Sequence, residues 1–123
     1  MKHLSSDDIR RLHQQLIQLR AQLLDEIGTA QSDIKAAHEA WEGEVKSGSD
    51  ASEMTRLEQL RRAEMEVDAR NLDAIGQAER RMNEGLYGIC TDCQGPIALD
   101  RLYALPTAVR CASCETRWLS KTN

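Results

Sequence analysis

Cys90-Thr91-Asp92-Cys93, then seventeen residues, then Cys111-Ala112-Ser113-Cys114: two CxxC pairs at this separation read as two knuckles around one tetrahedral zinc ion. A CxxC turn presents both sulfurs on one side of a tight loop, which suits Zn–S bonds of about 2.3 Å. Gly88 and Gly95 flank the first pair and are expected to supply the backbone freedom such turns need. Metal affinity also explains how a segment of about thirty residues with few apolar side chains folds. Two disulfides are the rival reading, but two-residue spacing suits structural bridges poorly and the sequence shows no secretory context. A redox dithiol needs one CxxC at a helix start near a βαβ pattern, and none is visible. Four protein sulfurs leave zinc no open position, so the metal is expected to be structural and the chain not an enzyme. No Ser/His/Asp set, paired-carboxylate pocket or phosphate loop argues otherwise.

Working outward, the 123 residues contain no Phe, two Trp and two Tyr. That is little bulk for a conventional core, and it fits a coiled coil plus a metal module. The formal charge is −4; four thiolates and one Zn²⁺ make it about −6. Such a chain is a poor candidate for sequence-specific DNA binding. No leader is expected in the polar start, and no apolar run is long enough to span a bilayer. Reduced cysteines then imply the cytoplasm.

Upstream of the cysteines, Leu4-Ser5-Ser6-Asp7-Asp8-Ile9 has the parts of a helix start. Ser5 is placed as N-cap, Asp8 as its capping-box partner, and Leu4 and Ile9 as a hydrophobic staple. Apolar residues then recur at Ile9, Leu12, Leu16, Leu19, Leu23, Ile27, Ala30, Ile34, Ala37, Trp41 and Val45, in steps of three and four that define a heptad seam. One helix is predicted over about 5–46. Lys46-Ser47-Gly48-Ser49-Asp50-Ala51-Ser52 interrupts the pattern as a turn. Asp50 is expected to cap a second helix, with Glu53 as partner, and that helix should end near Glu84 with Gly85 as its left-handed cap. Folding back at Gly48 sets Met54 against Trp41, Met65 against Ala30, Leu72 against Leu23, Ile75 against Leu19, Met82 against Leu12 and Leu86 against Ile9. Apolar meets apolar at each, so a mainly α fold is predicted: an antiparallel coiled-coil hairpin over 1–86 with its tip at about 46–52, and a four-cysteine zinc module with a short C-terminal helix over 87–123. A monomer is expected. The seam weakens around Glu58, Arg61 and Arg62, so the outer half of the hairpin should be the less stable.

Within the module, Pro96, Ile97 and Leu99 to Leu102 suggest a short hairpin, and Leu105-Pro106-Thr107 a bend. Glu115 to Lys121 reads as a brief helix whose Trp118 covers the metal or packs on the hairpin base. Arg101, Arg110, Arg117 and Lys121 make a slightly basic face, read as a protein-docking patch. Arg61-Arg62 and Arg80-Arg81 read as solvated flanks, and His3, His13 and His38 as surface residues.

Gly88-Ile89-Cys90-Thr91-Asp92-Cys93, Arg101-Leu102, Pro106-Thr107-Ala108 and Cys111 through Cys114, preceded by a long helical hairpin, resemble the DksA/TraR family of bacterial regulators. The resemblance implies zinc ligation by Cys90, Cys93, Cys111 and Cys114, and RNA polymerase as partner. It also implies insertion of the hairpin tip into the polymerase secondary channel, with modulation of transcription initiation and no catalysis. Better-studied members present Asp-x-x-Asp-x-Ala at the tip. Here Asp50 keeps the second acid, Ser47 replaces the first and Ser52 replaces Ala, so Ser47, Ser49, Asp50 and Ser52 are the expected partner-binding residues. The basic positions that contact the alarmone ppGpp in the family fall on Val67, Ala74 and Glu115, which predicts no response of that kind. The alternatives are a redox- or metal-responsive zinc switch and a coiled-coil adaptor for another protein.

Overall fold

The capping box predicted at the start forms in both directions. In the computed structural model, which describes residues 3–42 and 48–122, the Ser5 backbone N–H donates to the Asp8 carboxylate at 3.0 Å and the Asp8 N–H donates to Ser5 Oγ at 3.0 Å. Helix α1 runs Ser6–Glu42, α2 Gly48–Glu84, α3 Leu99–Ala104 and α4 Ala112–Thr122. The expected extension of α1 to 46, and Ser47 of the tip, lie outside the described residues. Asp50, expected as the cap of α2, is the third residue of that helix, which is described from Gly48. Glycine weakens a helix least in the first turn, where its N–H has no intrahelical partner, and an acid three residues in suits the helix dipole.

Because these hydrogen bonds favour the charged Asp8, its carboxyl is held below the usual range, chiefly by the Ser5 N–H and then by the Ser5 hydroxyl. A depressed folded-state value means that the stabilisation is complete above the unfolded value of about 3.9 and is lost as pH falls through the lower folded value. Ser5→Ala should cost about 1 kcal/mol at pH 7, read from urea midpoints. The gap in midpoint between wild type and Asp8→Asn should be open at neutral pH and close under acid.

Chain contacts group into two units, residues 1–19 with 73–123, and residues 20–72. The first unit holds most of the core: Leu4, Leu12, Leu16, Ile75, Ala78, Tyr87, Ile97, Leu102 and Ala108 are buried, five of them at 0 % exposure. His13 pairs with Glu79 across the two helices at 3.1 Å.

In the second unit Leu23 and Ala30 are buried, while Ile27, Ile34, Met54, Met65 and Leu72 are half-buried. Cross-helix pairs of Arg61 with Asp33 at 3.4 Å and His38 with Glu58 at 3.2 Å fix α2 antiparallel to α1 in the predicted register. Arg61 is therefore a half-buried seam residue rather than a solvated flank, and it also meets Glu64 at 3.2 Å. Arg62 is exposed and pairs with Glu58 at 2.8 Å. The weak stretch of the seam is held by polar pairs, with less apolar burial than the first unit has. Among the described residues no helix is long and apolar enough to cross a membrane.

Candidate metal centre

The path from helix to metal begins at the end of α2. Gly85, at φ 76°, closes a Schellman motif: Gly85 N–H donates to the Met82 carbonyl at 3.3 Å and Leu86 N–H to the Arg81 carbonyl at 2.9 Å. Leu86 therefore leaves the helix and is 46 % exposed, so the predicted pairing with Ile9 does not form. The Arg81 guanidinium donates to the carbonyls of Leu86 and Ile89. It ties the last turn of α2 to the residue just before the first cysteine. Arg81 is therefore not the solvated flank expected: its acceptors are main-chain atoms, which residue types cannot reveal.

Gly88 sits at φ +84°, and a Cβ built there would lie 2.6 Å from Leu4 Cδ1 and 3.3 Å from His3 Cε1. His3 Nε2 is 2.8 Å from the Ile97 carbonyl, so the residues before α1 pack on the loop that carries the first knuckle. An isolated antiparallel bridge joins Ile89 to Pro96, and Ile97 N–H donates to the Gly88 carbonyl at 2.8 Å.

Inside this loop Cys90 N–H donates to the Gly95 carbonyl at 2.8 Å and Gln94 N–H to the Cys90 carbonyl at 3.0 Å. The left-handed residue of the knuckle is Gln94, at φ 62°, and not Gly95 as expected. Gly95 instead gives room beside sulfur: its added Cβ would stand 3.4 Å from Cys93 Sγ, and its N–H donates to that sulfur at 3.4 Å.

The second knuckle is built differently. Cys111 precedes α4 and its carbonyl accepts the Glu115 N–H at 2.9 Å, while Cys114 lies in the helix's first turn. α4 thus starts three residues earlier than predicted, since the knuckle is itself the first turn. A helix N-terminus favours thiolate over thiol. The expected hairpin through Leu99 to Leu102 is instead the short helix α3, which has no side-chain cap and is held by Leu102 in the core. Tyr87, buried, donates its hydroxyl to the Pro106 carbonyl at 2.7 Å. Burial pushes its ionisation far above the ordinary range, so it remains a donor.

The four sulfurs of Cys90, Cys93, Cys111 and Cys114 lie within 4.8 Å of one another, the group of described residues arranged to hold a metal ion. Cys93 Sγ and Cys111 Sγ are 3.9 Å apart. A tetrahedron with Zn–S of about 2.3 Å has edges of about 3.8 Å, whereas a disulfide needs about 2.05 Å. The cysteines are free, and the donor set fits one structural zinc ion. Burial opposes charge on Cys90, but backbone hydrogen bonds at Cys93, Cys111 and Asp92 outweigh it and bring the thiol down to about 6. Cys114, by burial and by its hydrogen bonds to the other three sulfurs, is pushed up to about 12. Four thiolates in this space need a cation at their centre, and zinc provides one.

Around the sulfurs, the basic residues are largely engaged within the module. Arg110 Nε meets Asp92 at 3.0 Å and its Nη1 meets Glu115 at 3.7 Å. Its Cζ lies 4.7 Å from the Trp118 ring centroid. One guanidinium thus joins the first knuckle to α4, the arrangement that the sequence left unread. Arg101 Nε donates to the Arg110 carbonyl at 3.1 Å, and Arg117 to Cys114 Sγ at 3.2 Å. Trp118, 43 % exposed, lies under Arg110 and lines a groove with Cys93 and Cys114. Of the tip residues, Ser49, Asp50 and Ser52 lie in the first turns of α2. Of the three alarmone-related positions, Val67 is exposed and Ala74 half-buried, while Glu115 is paired with Arg110.

Fold and site together define a class: a pair of long antiparallel helices joined to a four-thiolate zinc module. Residues 85–117 match the prokaryotic dksA/traR C4-type zinc finger. The fold is similar to the structure of transcription factor DksA2 from Pseudomonas aeruginosa, with TM-score 0.83 and 22 % identity over 98 % of this chain and 89 % of that one. The comparisons thus show a finger of the dksA/traR type over residues 85–117 and a shared overall fold. No curated protein matches it by sequence.

Proposed function

We propose that this protein is a DksA-type regulator that binds RNA polymerase, places its helical tip in the secondary channel and modulates transcription initiation without catalysing a reaction. The observation that carries this reading is a dksA/traR-type finger on a chain that shares the fold of transcription factor DksA2 along nearly its whole length. In this reading Cys90, Cys93, Cys111 and Cys114 hold a structural zinc, and Ser47, Ser49, Asp50 and Ser52 meet the polymerase. The protein acts as a monomer in the cytoplasm and reads no DNA sequence.

The test is binding to purified core RNA polymerase. The intact chain should bind with a dissociation constant of about 1 μM or tighter, and replacing residues 44–54 with a plain Gly-Ser turn should weaken binding by about tenfold or more. Asp50→Asn keeps the helix start but removes the charge, and it should lower the effect on transcription in vitro. An intact chain that does not bind, or one whose binding survives tip replacement, rules the reading out.

A further inference from the structure

The four sulfurs are unequal. Cys90 and Cys114 are 1 % and 3 % exposed, whereas Cys111 is half-buried and Cys93 exposed. Cys93 and Cys111, 3.9 Å apart, therefore form the edge of the tetrahedron that faces solvent. Hydrogen bonding orders them in the same way. Cys114 accepts from the Arg117 guanidinium at 3.2 Å, a charge-assisted bond that steadies a thiolate. Cys93 accepts the neutral Gly95 N–H at 3.4 Å.

Beside the exposed sulfur lies a groove of about 510 Å³ between the first knuckle and α4, lined by Cys93, Cys114, Asp92, Arg117, Trp118 and Lys121 among others; of its two sulfurs only that of Cys93 is exposed. Asp92 is paired with Arg110 at 3.0 Å, so Arg117 and Lys121 are the cations along this groove that offset the net charge of about −2 on a zinc-filled cage. A four-coordinate zinc site can pass through five-coordination, so an incoming ligand needs an open face and a ligand beside it that is free to leave. This groove offers both.

We propose that zinc exchange begins at Cys93: a small anionic thiol enters the groove beside Lys121, and Cys93 Sγ, the exposed one of the two sulfurs that line it, is the first protein ligand it displaces. The incoming thiolate forms a Zn–S bond as the bond to Cys93 breaks. Cys93 departs as thiolate and takes a proton from water, and no atom changes oxidation state. Cys111 follows, and Cys90 and Cys114 leave last. The inference rests on the zinc reading and is independent of polymerase.

The experiment uses the full-length zinc-loaded chain, with metal content measured first by atomic emission. Glutathione, an anionic thiol, and 2-mercaptoethanol, a neutral one, are compared as mediators of zinc transfer to an excess of coloured chelator. Lys121→Glu should slow the glutathione reaction by about fivefold and leave the 2-mercaptoethanol reaction unchanged. Substoichiometric N-ethylmaleimide followed by peptide mapping should label Cys93 first and Cys111 second. First labelling of Cys90 or Cys114, equal labelling of all four, or a Lys121→Glu effect that is absent or the same for both thiols overturns the proposal. A folded protein without zinc removes the metal assignment itself, which the initial measurement reveals separately.

Discussion

Cys90→Ser should abolish zinc binding and unfold the metal module. Cys90 is 1 % exposed, and its N–H and carbonyl hold both ends of the first knuckle, through Gly95 and Gln94. A serine there leaves three thiolates and a poor fourth donor in a site whose neighbours are fixed. Structural zinc contributes about 10–16 kcal/mol in small finger peptides, as much as the total stability of an ordinary domain, about 5–15 kcal/mol. The module has few buried apolar residues to offset that loss. Zinc content should fall from one per chain to none. The Trp118 emission should shift as the contact with Arg110 is lost, since the ring is held by residues on either side of the cage. Far-UV helicity should fall only partly, because residues 20–72 have their own packed pairs around Leu23 and Ala30. A variant that retains stoichiometric zinc would show that Cys90 is not a ligand.

Gly88→Ala should destabilise the fold by about 2–6 kcal/mol, combining backbone strain of about 1–3 kcal/mol with an overpacking cost of similar size. The strain arises because φ is +84°, a region that a Cβ makes unfavourable. The overpacking arises because Leu4 Cδ1 stands 2.6 Å from the added carbon. Leu4 is buried, and its neighbour His3 is anchored at the Ile97 carbonyl, so the side chain cannot move aside freely. The two contributions can be separated. Leu4→Ala in the Gly88→Ala background should recover the steric part and leave the backbone part, a coupling that a double-mutant cycle in urea measures. If Gly88→Ala alone matches wild type, the close approach of the N-terminal residues to the knuckle is wrong.

What the sequence made legible was whatever repeats or is local. The three-and-four stepping from Ile9 to Trp41 predicts α1 and its partner face, and Ser5 with Asp8 predicts a helix start within one residue. Gly85 marks a helix end, and the CxxC spacing names the four sulfurs. Structure held by long-range polar contacts did not show. Arg81, Arg110 and Arg61 looked like surface charge, since their acceptors are main-chain carbonyls or carboxylates far along the chain. Helix α3 carries no capping side chain, and only Leu102 in the core reveals why six residues turn there. Gln94 takes a left-handed conformation that its neighbour Gly95 was better suited to adopt, because the hydrogen bonds of the knuckle choose the position and the residue type follows at a modest cost.

The pairs of Arg61 with Asp33 and His38 with Glu58 have an effect beyond holding two helices together. A purely greasy stripe tolerates sliding by a whole heptad, since one leucine fits another's place. Polar partners do not, because a slip of one heptad sets Arg61 opposite Ala40 or Glu26 and His38 opposite Met65 or Ala51, so no slip keeps both pairs. Residues 20–72 therefore resemble a keyed joint more than a glued one: modest in strength, strict in alignment. Evolution could strengthen this segment with leucine at any time, and it would then lose the feature that keeps its two strands of helix in step.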